Sequence, residues 1–502
     1  MTGGIGFDNE KYLAEQASFI LERADKAEKL YLEFGGKLLW DYHAARVLPG
    51  YDPNVKMRLL ARLKDRAEVV LCIHAGDIER KKLRGDFGIT YDADALRIVD
   101  ELADWGVKTA GVVITRFDEQ PAAVQFRTKL ERRGIPAYTH RATKGYPNDV
   151  DLIVSPEGYG ANAYIPTEKP IVVITGPGPG SGKLATALTL LYHDRAAGRS
   201  ATYSKFETFP VWNLPLKHPV NVAYEAATAD LGDFNCVDPF HLEAYGATSI
   251  NYNRDVEVFP VLSRILQRLG GEPYKSPTDM GVNRIASGIV DDEACKAAAL
   301  QEIIRRRFRI AGEYSLGICD AEPLRRVDAI MDSFDLKCED RRVVLPAREA
   351  AAEAATSRKG NDGIFCGAAL ELRDGTMVQG KNSKLFHAAS AVVLNAAKHL
   401  AGIPDRIHLL PPVVTASIRG LKRDVLGKKS ESLNLDEALI ALAVSAAMNP
   451  AAQAALEALK QLDGCELHLS HFPGPGDEAG LRNLGLNATS DCVFAGKAAA
   501  VR

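Results

Sequence analysis

The sequence has few of the features that mark a secreted, nucleic-acid-binding or membrane protein. Its eight cysteines are scattered over 502 residues and none forms a C-x-x-C pair, so neither a zinc clip nor a disulfide framework is indicated. The formal net charge of −3 argues against a nucleic-acid partner, since binding phosphates requires clustered positive charge. No apolar run approaches the roughly 18 residues of a membrane span, and the first residues lack the basic and apolar segments of a signal peptide. We therefore expect a cytoplasmic protein without a nucleic-acid or membrane partner.

Zinc chemistry has little support in the sequence. The chain contains no H-E-x-x-H motif, which is the usual signature of a zinc peptidase. The segment GCELHLSHF groups Cys465, His468 and His471, but alternation along a strand would place His468 on the opposite face from the other two. One tetrahedral ion could not easily collect all three side chains, so we expect no zinc.

Apolar strands alternate with amphipathic helices over the first half of the chain. The runs AEVVLCIH, AGVVI and PIVVIT are typical of buried strands, and Gly106, Gly134 and Gly198 end the helices between and after them. This alternation predicts an α/β fold with a mostly parallel sheet that is covered on both faces. The stretch KYLAEQASFILERADKAEKLYLEF is mostly helical in period, and DVDLIVS supplies a further apolar run to the alternation.

The length of 502 residues suggests at least three domains, at roughly 150 residues each. We expect a phosphate-loop-like α/β domain over residues 1–258, which can be divided into two subdomains near residue 165. A mainly helical region is expected over residues 259–335, and a C-terminal α/β domain over residues 336–502.

The segment ITGPGPGSGKLATAL, from Ile174 to Leu188, joins a β-branched strand to a leucine-lined helix and resembles a phosphate-binding loop. In such loops the backbone N–H groups and the helix N-terminus face the anion, and a lysine adds a mobile positive charge. Lys183 is also the predicted catalytic residue, because its ammonium group would stabilise charge on a transferring phosphoryl group. The predicted phosphate ligands are Gly178, Gly180, Ser181, Gly182 and Lys183.

Two positions differ from the G-x-x-x-x-G-K-[ST] pattern of nucleotide-binding loops. Pro177 stands where the first glycine is expected, and its ring removes one N–H donor. Leu184 replaces the hydroxyl residue that normally binds Mg²⁺, so any Mg²⁺ ligands must come from other segments. The alternative interpretation is a glycine-rich turn that only lets the strand and the helix pack closely.

Further candidate residues follow the loop. The next strand, ATYSKF, ends near Lys205, where dethiobiotin synthetase and CTP synthetase carry a substrate or metal group. Asp230 and Asp233 belong to an acidic segment that could hold Mg²⁺ through hard oxygen ligands, or could simply be solvated loop residues. The candidate substrate ligands of the segment YKSPTDMG are Lys275, Ser276 and Asp279.

The C-terminal part resembles the cytidine-deaminase type of fold. Two short strands joined by Asp374-Gly375 lead through a loop to a helix that begins near His387. Deaminases open this helix with H-x-E, but here the triplet is HAA and no C-x-x-C follows, so zinc deamination is excluded. The residues that could line a pocket here, or could instead cap and solvate the helix start, are Lys381, Asn382, Ser383 and His387.

Several phrases together match one family across nearly the whole chain. Among them are FGGKLLWDYHAARVLPGYDP, GPGPGSGK and GKNSKLFHAASAVVLNA. The chain resembles an uncharacterised family of bacterial cytoplasmic proteins, a domain of unknown function whose members are sometimes labelled ATP-dependent peptidases. The resemblance implies no established activity and no catalytic residue, and nothing in the residues supports the peptidase part of that label.

From the residues we expect a protein that binds ATP or another phosphorylated ligand. It would carry out phosphoryl transfer or ATP-driven ligation on a small metabolite, with Mg²⁺ as a candidate cofactor. The alternative is a non-catalytic sensor or binding protein for a phosphorylated metabolite, which Leu184 favours. The sequence leaves open the identity of the substrate and whether the chain forms a homo-oligomer.

Overall fold

The computed structural model describes residues 5–84, 88–271 and 274–494. The chain divides into two compact units, one formed by residues 4–299 and the other mainly by residues 300–502. The domain limits expected near residues 258 and 335 stay a prediction. Among the described helices, none is both long and apolar enough to cross a membrane.

A six-stranded sheet forms the centre of the N-terminal unit. The strands of this unit are β1 (Lys29–Phe34), β2 (Ala67–His74), β3 (Leu83–Arg84), β4 (Ile89–Thr90), β5 (Thr109–Thr115), β6 (Ala137–His140), β7 (Ile171–Thr175), β8 (Ala201–Phe206), β9 (Asn235–Val237) and β10 (Ile250–Tyr252). The central sheet has the order β6-β5-β2-β7-β1-β8, and all its neighbouring strands run parallel. The short pairs β3–β4 and β9–β10 are antiparallel. The predicted α/β class with a mostly parallel sheet is confirmed.

Helices lie before, between and after these strands, since parallel neighbours need crossover connections. They are α1 (Asn9–Ala24), α2 (Tyr42–Val47), α3 (Val55–Leu63), α4 (Ala75–Glu79), α5 (Tyr91–Asp104), α6 (Pro121–Arg132), α7 (Val150–Ile153), α8 (Lys183–Ala196), α9 (Pro219–Ala227), α10 (Pro239–Tyr245), α11 (Asn253–Arg268), α12 (Pro277–Met280), α13 (Ile285–Gly288) and α14 (Asp292–Ser315). Leu188 and Leu191 of α8 pack into one buried cluster with Tyr31 of β1, Ile174 of β7 and Tyr203 of β8. The helix that follows the glycine loop is therefore fixed against three strands.

Two local predictions for this unit were wrong. The stretch predicted as helical to Phe34 ends as a helix at Ala24, and Lys29–Phe34 forms β1 instead. Every residue of β1 is buried between β7 and β8, so pairing on both sides outweighs the helix preference of its leucine and glutamate residues. The DVDLIVS run is not a strand, since Val150–Ile153 forms α7, of which only Ile153 is buried.

The C-terminal unit contains a mixed four-stranded sheet with the order β12-β11-β13-β14. Its strands are β11 (Gly367–Glu371), β12 (Met377–Lys381), β13 (Glu466–Leu469) and β14 (Asn487–Ser490). Strand β11 is antiparallel to both neighbours, whereas β13 and β14 are parallel. The further helices are α15 (Ala321–Ser333), α16 (Val344–Thr356), α17 (Ala388–Leu400), α18 (Pro412–Gly420), α19 (Leu435–Ala446), α20 (Pro450–Ala458) and α21 (Pro475–Asn483). The two predicted strands around Asp374-Gly375 and the helix after His387 are present, while the likeness to deaminases stays a prediction.

Candidate functional site

The glycine loop, residues 176–182, lies at a crevice of the central sheet. Strand β7 lies between β2 and β1. The chain leaving β2 continues to β5 on one side, whereas the chain leaving β7 continues through α8 to β8 on the other side. Neighbouring strands whose connections diverge leave a crevice at their carboxyl ends, where open α/β sheets bind ligands. The glycine loop comes directly after β7 and therefore borders this crevice.

Backbone donors of the glycine loop and of the start of α8 are left without protein acceptors. The N–H groups of Gly180, Gly182, Lys183 and Leu184 donate to no acceptor among the described residues. The first N–H groups of any helix lack a partner within the helix, and together they attract an anion. The loop thus offers the donors that a phosphate group requires.

The conformation of the loop depends on glycine. Gly182 has a φ of 87°, and a Cβ atom there would lie 2.7 Å from the side chain of Thr115 at the end of β5. The Thr115 hydroxyl donates to the Ser181 carbonyl oxygen at 2.8 Å and so ties the loop to the sheet. The Ser181 hydroxyl is buried and has no hydrogen-bond partner in the described structure. The hydrogen bond from Thr115 therefore fixes the loop to the sheet, while the Ser181 hydroxyl is left without a partner among the described residues.

Lys183 is the first residue of α8 and is half-buried. Within the described part of the chain its ammonium group has neither an ion pair nor a hydrogen bond, so it can serve a ligand. Tyr91 of α5 packs beside the loop, since a Cβ atom on Gly178 would lie 2.5 Å from the Tyr91 hydroxyl oxygen. Leu184 packs against the apolar cluster under the sheet and offers no metal ligand.

A second group of candidate side chains lies at the carboxyl ends of β1 and β8. We call Glu33, Lys205, Glu207 and Asp255 the charged cluster. The Lys205 ammonium group pairs with Asp255 at 2.5 Å and with Glu207 at 3.1 Å. Glu33 is the β1 neighbour of Lys205 in the sheet, and its carboxylate accepts a hydrogen bond of 2.7 Å from the Tyr203 hydroxyl.

Burial and the neighbouring charges both shift the pKa values of the groups in this cluster. Burial raises the pKa of the Glu207 carboxyl group to about 7, with Lys205 opposing the shift and Asp255 adding to it. Burial also disfavours the Lys205 ammonium group, but Asp255, Glu207 and Glu33 outweigh it and raise the pKa of Lys205. Lys205 therefore stays charged, while Glu207 gains and loses its proton near neutral pH.

A solvent-open cleft of about 430 Å³, solvent space included, borders the charged cluster. Its polar lining consists of Lys205, Glu207, Asp255, Asn251, Thr278 and Asn283. Its remaining walls are Phe209, Pro210, Trp212, Ile250, Pro277 and Gly281. Gly35, which follows β1, lets Glu207 approach closely, since a Cβ atom there would lie 2.6 Å from Oε1 of Glu207.

The glycine loop and the charged cluster share one edge and one face of the sheet. Ile174, Glu33 and Lys205 are register neighbours across β7, β1 and β8, so their side chains point to the same face. This is the face that α8 covers. Strands β7 and β8 are two positions apart, which corresponds to about 10 Å at the usual strand spacing. The structure thus brings the predicted residues Lys183 and Lys205 to one edge of the unit.

Comparison with known protein families assigns the chain. Models of a family described as a domain of unknown function, DUF1846, match residues 5–335 with the N-terminal part and residues 339–499 with the C-terminal part. The chain belongs to the DUF1846 family. A "UPF0371 protein" of Clostridium botulinum (strain Langeland) is 56% identical over 490 residues, which cover 97% of each chain. A "UPF0371 protein" of Clostridium tetani is 55% identical over 489 residues, again 97% of each chain. The expected membership in an uncharacterised bacterial family is confirmed.

Other predicted residues of this DUF1846 chain have structural partners. Asp233 is buried and pairs with Arg254 at 2.6 Å, whereas Asp230 is exposed in a short 3-10 helix, Ala229–Leu231. Asp255, which gave no signal in the sequence, is the carboxylate that pairs with Lys205. Its position at the start of α11, in the segment NYNRDVEVF, is distant in sequence from β8, so only the fold reveals the contact. In the described part of the chain, no group of three or more acidic, histidine or cysteine side chains could hold a metal ion.

The YKSPTDMG segment of the DUF1846 chain contacts the cleft mainly through residues that were not singled out. Ser276 and Asp279 form a reciprocal cap on α12, and Lys275 is exposed with its ammonium group 5.4 Å from the centre of the Tyr245 ring. The neighbouring Pro277 and Thr278 line the cleft instead. A backbone hydrogen bond of 2.9 Å from Val282 to the Lys205 carbonyl oxygen holds the segment against β8.

The predicted residues near His387 lie in the C-terminal unit. Lys381 pairs with Glu353. The Asn382 side chain accepts a hydrogen bond of 2.8 Å from the Cys366 N–H group and donates one of 2.9 Å to the Ile364 carbonyl oxygen. These contacts give Asn382 a structural role. The His387 ring contacts the buried Asp477 carboxylate, with 2.7 Å between Nδ1 and Oδ2. Ser383 accepts hydrogen bonds from the two backbone N–H groups of Leu385 and Phe386.

Proposed function

We propose that this DUF1846 chain binds the phosphate groups of ATP, or of another phosphorylated ligand, at the glycine loop. It would then catalyse phosphoryl transfer or ATP-driven ligation on a small metabolite held at the charged cluster. The observation that carries the proposal is Lys183 at a helix start, next to a crevice of a parallel sheet. Within the part of the chain that the structure describes, neither its ammonium group nor the backbone donors there have a partner.

Each group would have a distinct role. Backbone N–H groups of the loop would position the phosphates, and Lys183 would stabilise the charge that develops during transfer. Glu207 would exchange a proton with the acceptor, because its pKa of about 7 allows both protonation states near neutral pH. Mg²⁺ would be held mainly by the nucleotide phosphates and by water, as Mg²⁺ commonly is when few carboxylates are available.

The second candidate function is a sensor that binds a phosphorylated metabolite without turnover. It is favoured by Leu184, which packs into the core where a Mg²⁺-binding hydroxyl is usual. A protein of this kind would use the same loop and the same lysine, so binding alone does not separate the two functions. Release of ADP or phosphate in the presence of Mg²⁺ and candidate acceptors separates them.

A thermal-shift screen of nucleotides and phosphorylated metabolites, with and without Mg²⁺, tests the binding site. A ligand at a hundred times its dissociation constant stabilises the folded state by about 2.7 kcal/mol, which is readily measured as a rise in Tm. We expect Lys183→Ala to lose the rise that wild type shows. Lys129→Ala, which removes an exposed lysine at the end of α6, should keep it. An equal rise in Lys183→Ala for every ligand that binds would contradict the proposal.

A further inference from the structure

Among the described residues, the cleft beside the charged cluster offers an anionic ligand no unused positive group. Lys205 is the one cation in the part of its lining that the structure describes. Its ammonium group is already paired with both Glu207 and Asp255. A carboxylate or phosphate ligand would have to displace one of these partners, and no other lining residue could replace it.

Carboxylates outnumber ammonium groups around this cleft. Glu207 and Asp255 are 26% and 18% exposed at their side chains, so solvent reaches both. Glu33 lies nearby on β1, and its negative charge raises the pKa of both Lys205 and Glu207. Because partial burial weakens screening by water, this excess of negative charge favours a cationic ligand.

The other walls of the cleft suit a short carbon chain. Trp212, Phe209 and Ile250 present apolar surface, and the rigid rings of Pro210 and Pro277 complete the lining. Small-molecule sites combine such apolar walls with a few polar groups that fix the orientation of the ligand. An indole ring also attracts a cation that approaches its face.

We propose that this cleft binds a small primary amine in its ammonium form. The ammonium group would contact Glu207 and Asp255, and the carbon chain would lie against Trp212. The amine would be the acceptor in the phosphoryl transfer proposed above, and in this respect alone the inference rests on the proposed function. An ammonium proton would pass to the Glu207 carboxylate, and the freed nitrogen lone pair would form the N–P bond as the P–O bond to the leaving ADP breaks.

Tryptophan fluorescence with n-butylammonium as the probe tests the site, since Trp212 is one of only three tryptophans in the chain. The matched probes n-butanol and butyrate have the same carbon chain but no charge or the opposite charge. We expect a saturable change with n-butylammonium alone, and its loss in Trp212→Phe. An equal response to n-butanol or to butyrate overturns the inference.

Variants of the carboxylates locate the binding site of the ammonium group. Asp255→Asn and Glu207→Gln should weaken n-butylammonium binding by about tenfold or more, because each removes one charge-assisted contact. Glu257→Gln, an exposed position on the same helix as Asp255, should leave binding unchanged. Unchanged affinity in folded Asp255→Asn and Glu207→Gln refutes the site. If either variant fails to fold, the comparison of the three probes on wild type and Trp212→Phe decides.

Lys183→Ala separates this inference from the proposed function. Binding of n-butylammonium should be the same in Lys183→Ala as in wild type, because the glycine loop makes no part of the cleft lining. If no nucleotide or phosphorylated ligand binds wild type but n-butylammonium does, the proposed function fails and the amine site stands. If phosphorylated ligands bind through Lys183 and n-butylammonium does not bind, the amine site fails alone.

Discussion

The Glu207 carboxyl group, directly after β8, interacts with charged and phenolic groups from several elements. They are Lys205 of β8, Asp255 of α11, Glu33 of β1, Tyr224 of α9 and Tyr252 of β10. Burial raises the pKa of Glu207 from 4.5 to about 7. Below pH 4.5 the carboxyl group is protonated in both states, whereas between pH 4.5 and pH 7 the folded state holds more of the proton. Glu207 therefore lowers the free energy of unfolding as the pH rises through this window.

Glu207→Gln should remove that pH dependence. We expect the free energy of unfolding of the variant, relative to wild type, to increase from pH 4.5 to pH 7 and to stay level above pH 7. Urea denaturation over this range measures the difference. Glu257→Gln, an exposed glutamate on α11, serves as the control and should show no such trend. A constant difference between wild type and Glu207→Gln across the range would show that Glu207 titrates alike in both states.

Single residues of the site were predictable where a local pattern marks them. Lys183 follows from its place after a glycine loop, and Lys205 from its place at the end of the next strand. Asp255 could not be found in this way, because it reaches Lys205 across 50 positions of sequence. A lone aspartate at the start of an amphipathic helix is common, because its negative charge stabilises the helix N-terminus, so nothing in the sequence indicates another role.

Helices and strands with strong periodic patterns were predicted well, and the exceptions were β1 and the DVDLIVS run that forms α7. The β1 sequence KLYLEF follows a helical stretch without a proline or glycine between them, so nothing local marks the change. What makes it a strand is its position between β7 and β8 in the sheet. The glycine loop, by contrast, could be placed from sequence, because a β-branched run, glycines and a leucine-lined helix mark its three parts.

Two glycines with positive φ on either side of α8 show what the loop requires. Gly182 has a φ of 87° and Gly198 has a φ of 78°, so backbone strain from an alanine at either position should destabilise the folded state by roughly 1–2 kcal/mol. At Gly182 the new Cβ atom would also lie 2.7 Å from Thr115, whereas at Gly198 it would meet no atom within 4 Å. We expect Gly182→Ala to lower Tm more than Gly198→Ala and to abolish the nucleotide-induced rise in Tm. Equal behaviour of the two variants in both measurements would show that the loop tolerates a side chain.

The class of the whole chain was predictable, but its division into units was not settled by pattern alone. Alternating strands and helices predict a parallel sheet, because the connection between two parallel strands usually contains a helix that covers the sheet. Along the sequence, the division between the units falls at residue 299, inside α14 (Asp292–Ser315), so composition and loops give no signal there. Family membership follows from similarity over 97% of the chain. The names of the relatives state no activity.

Each unit contains a buried histidine whose pKa burial lowers to about 4, so that its protonation opposes folding. Burial lowers the pKa of His140 in the N-terminal unit from 6.5 to about 4, against a hydrogen bond to the Ala163 carbonyl group and with help from His193. Burial likewise lowers the pKa of His471 in the C-terminal unit to about 4, with Asp477 opposing the shift and His387 and His468 adding to it. Between pH 6.5 and pH 4 the unfolded state binds the proton and the folded state does not, so the stability of each unit falls as the pH falls.

His140→Gln and His471→Gln should each reduce this acid sensitivity in one unit only. The expected loss for each histidine is at most about 3 kcal/mol between pH 6.5 and pH 4. Hydrogen exchange measured on peptides from β6 and from β13, across a urea series at several pH values, reports the two units separately even if they unfold in different steps. His399→Gln, which changes an exposed histidine at the end of α17, is the control and should leave both pH profiles unchanged. If His140→Gln altered the β13 profile as much as the β6 profile, the two units would unfold as one cooperative body, since protonation at a site in one of them would then be felt throughout the chain.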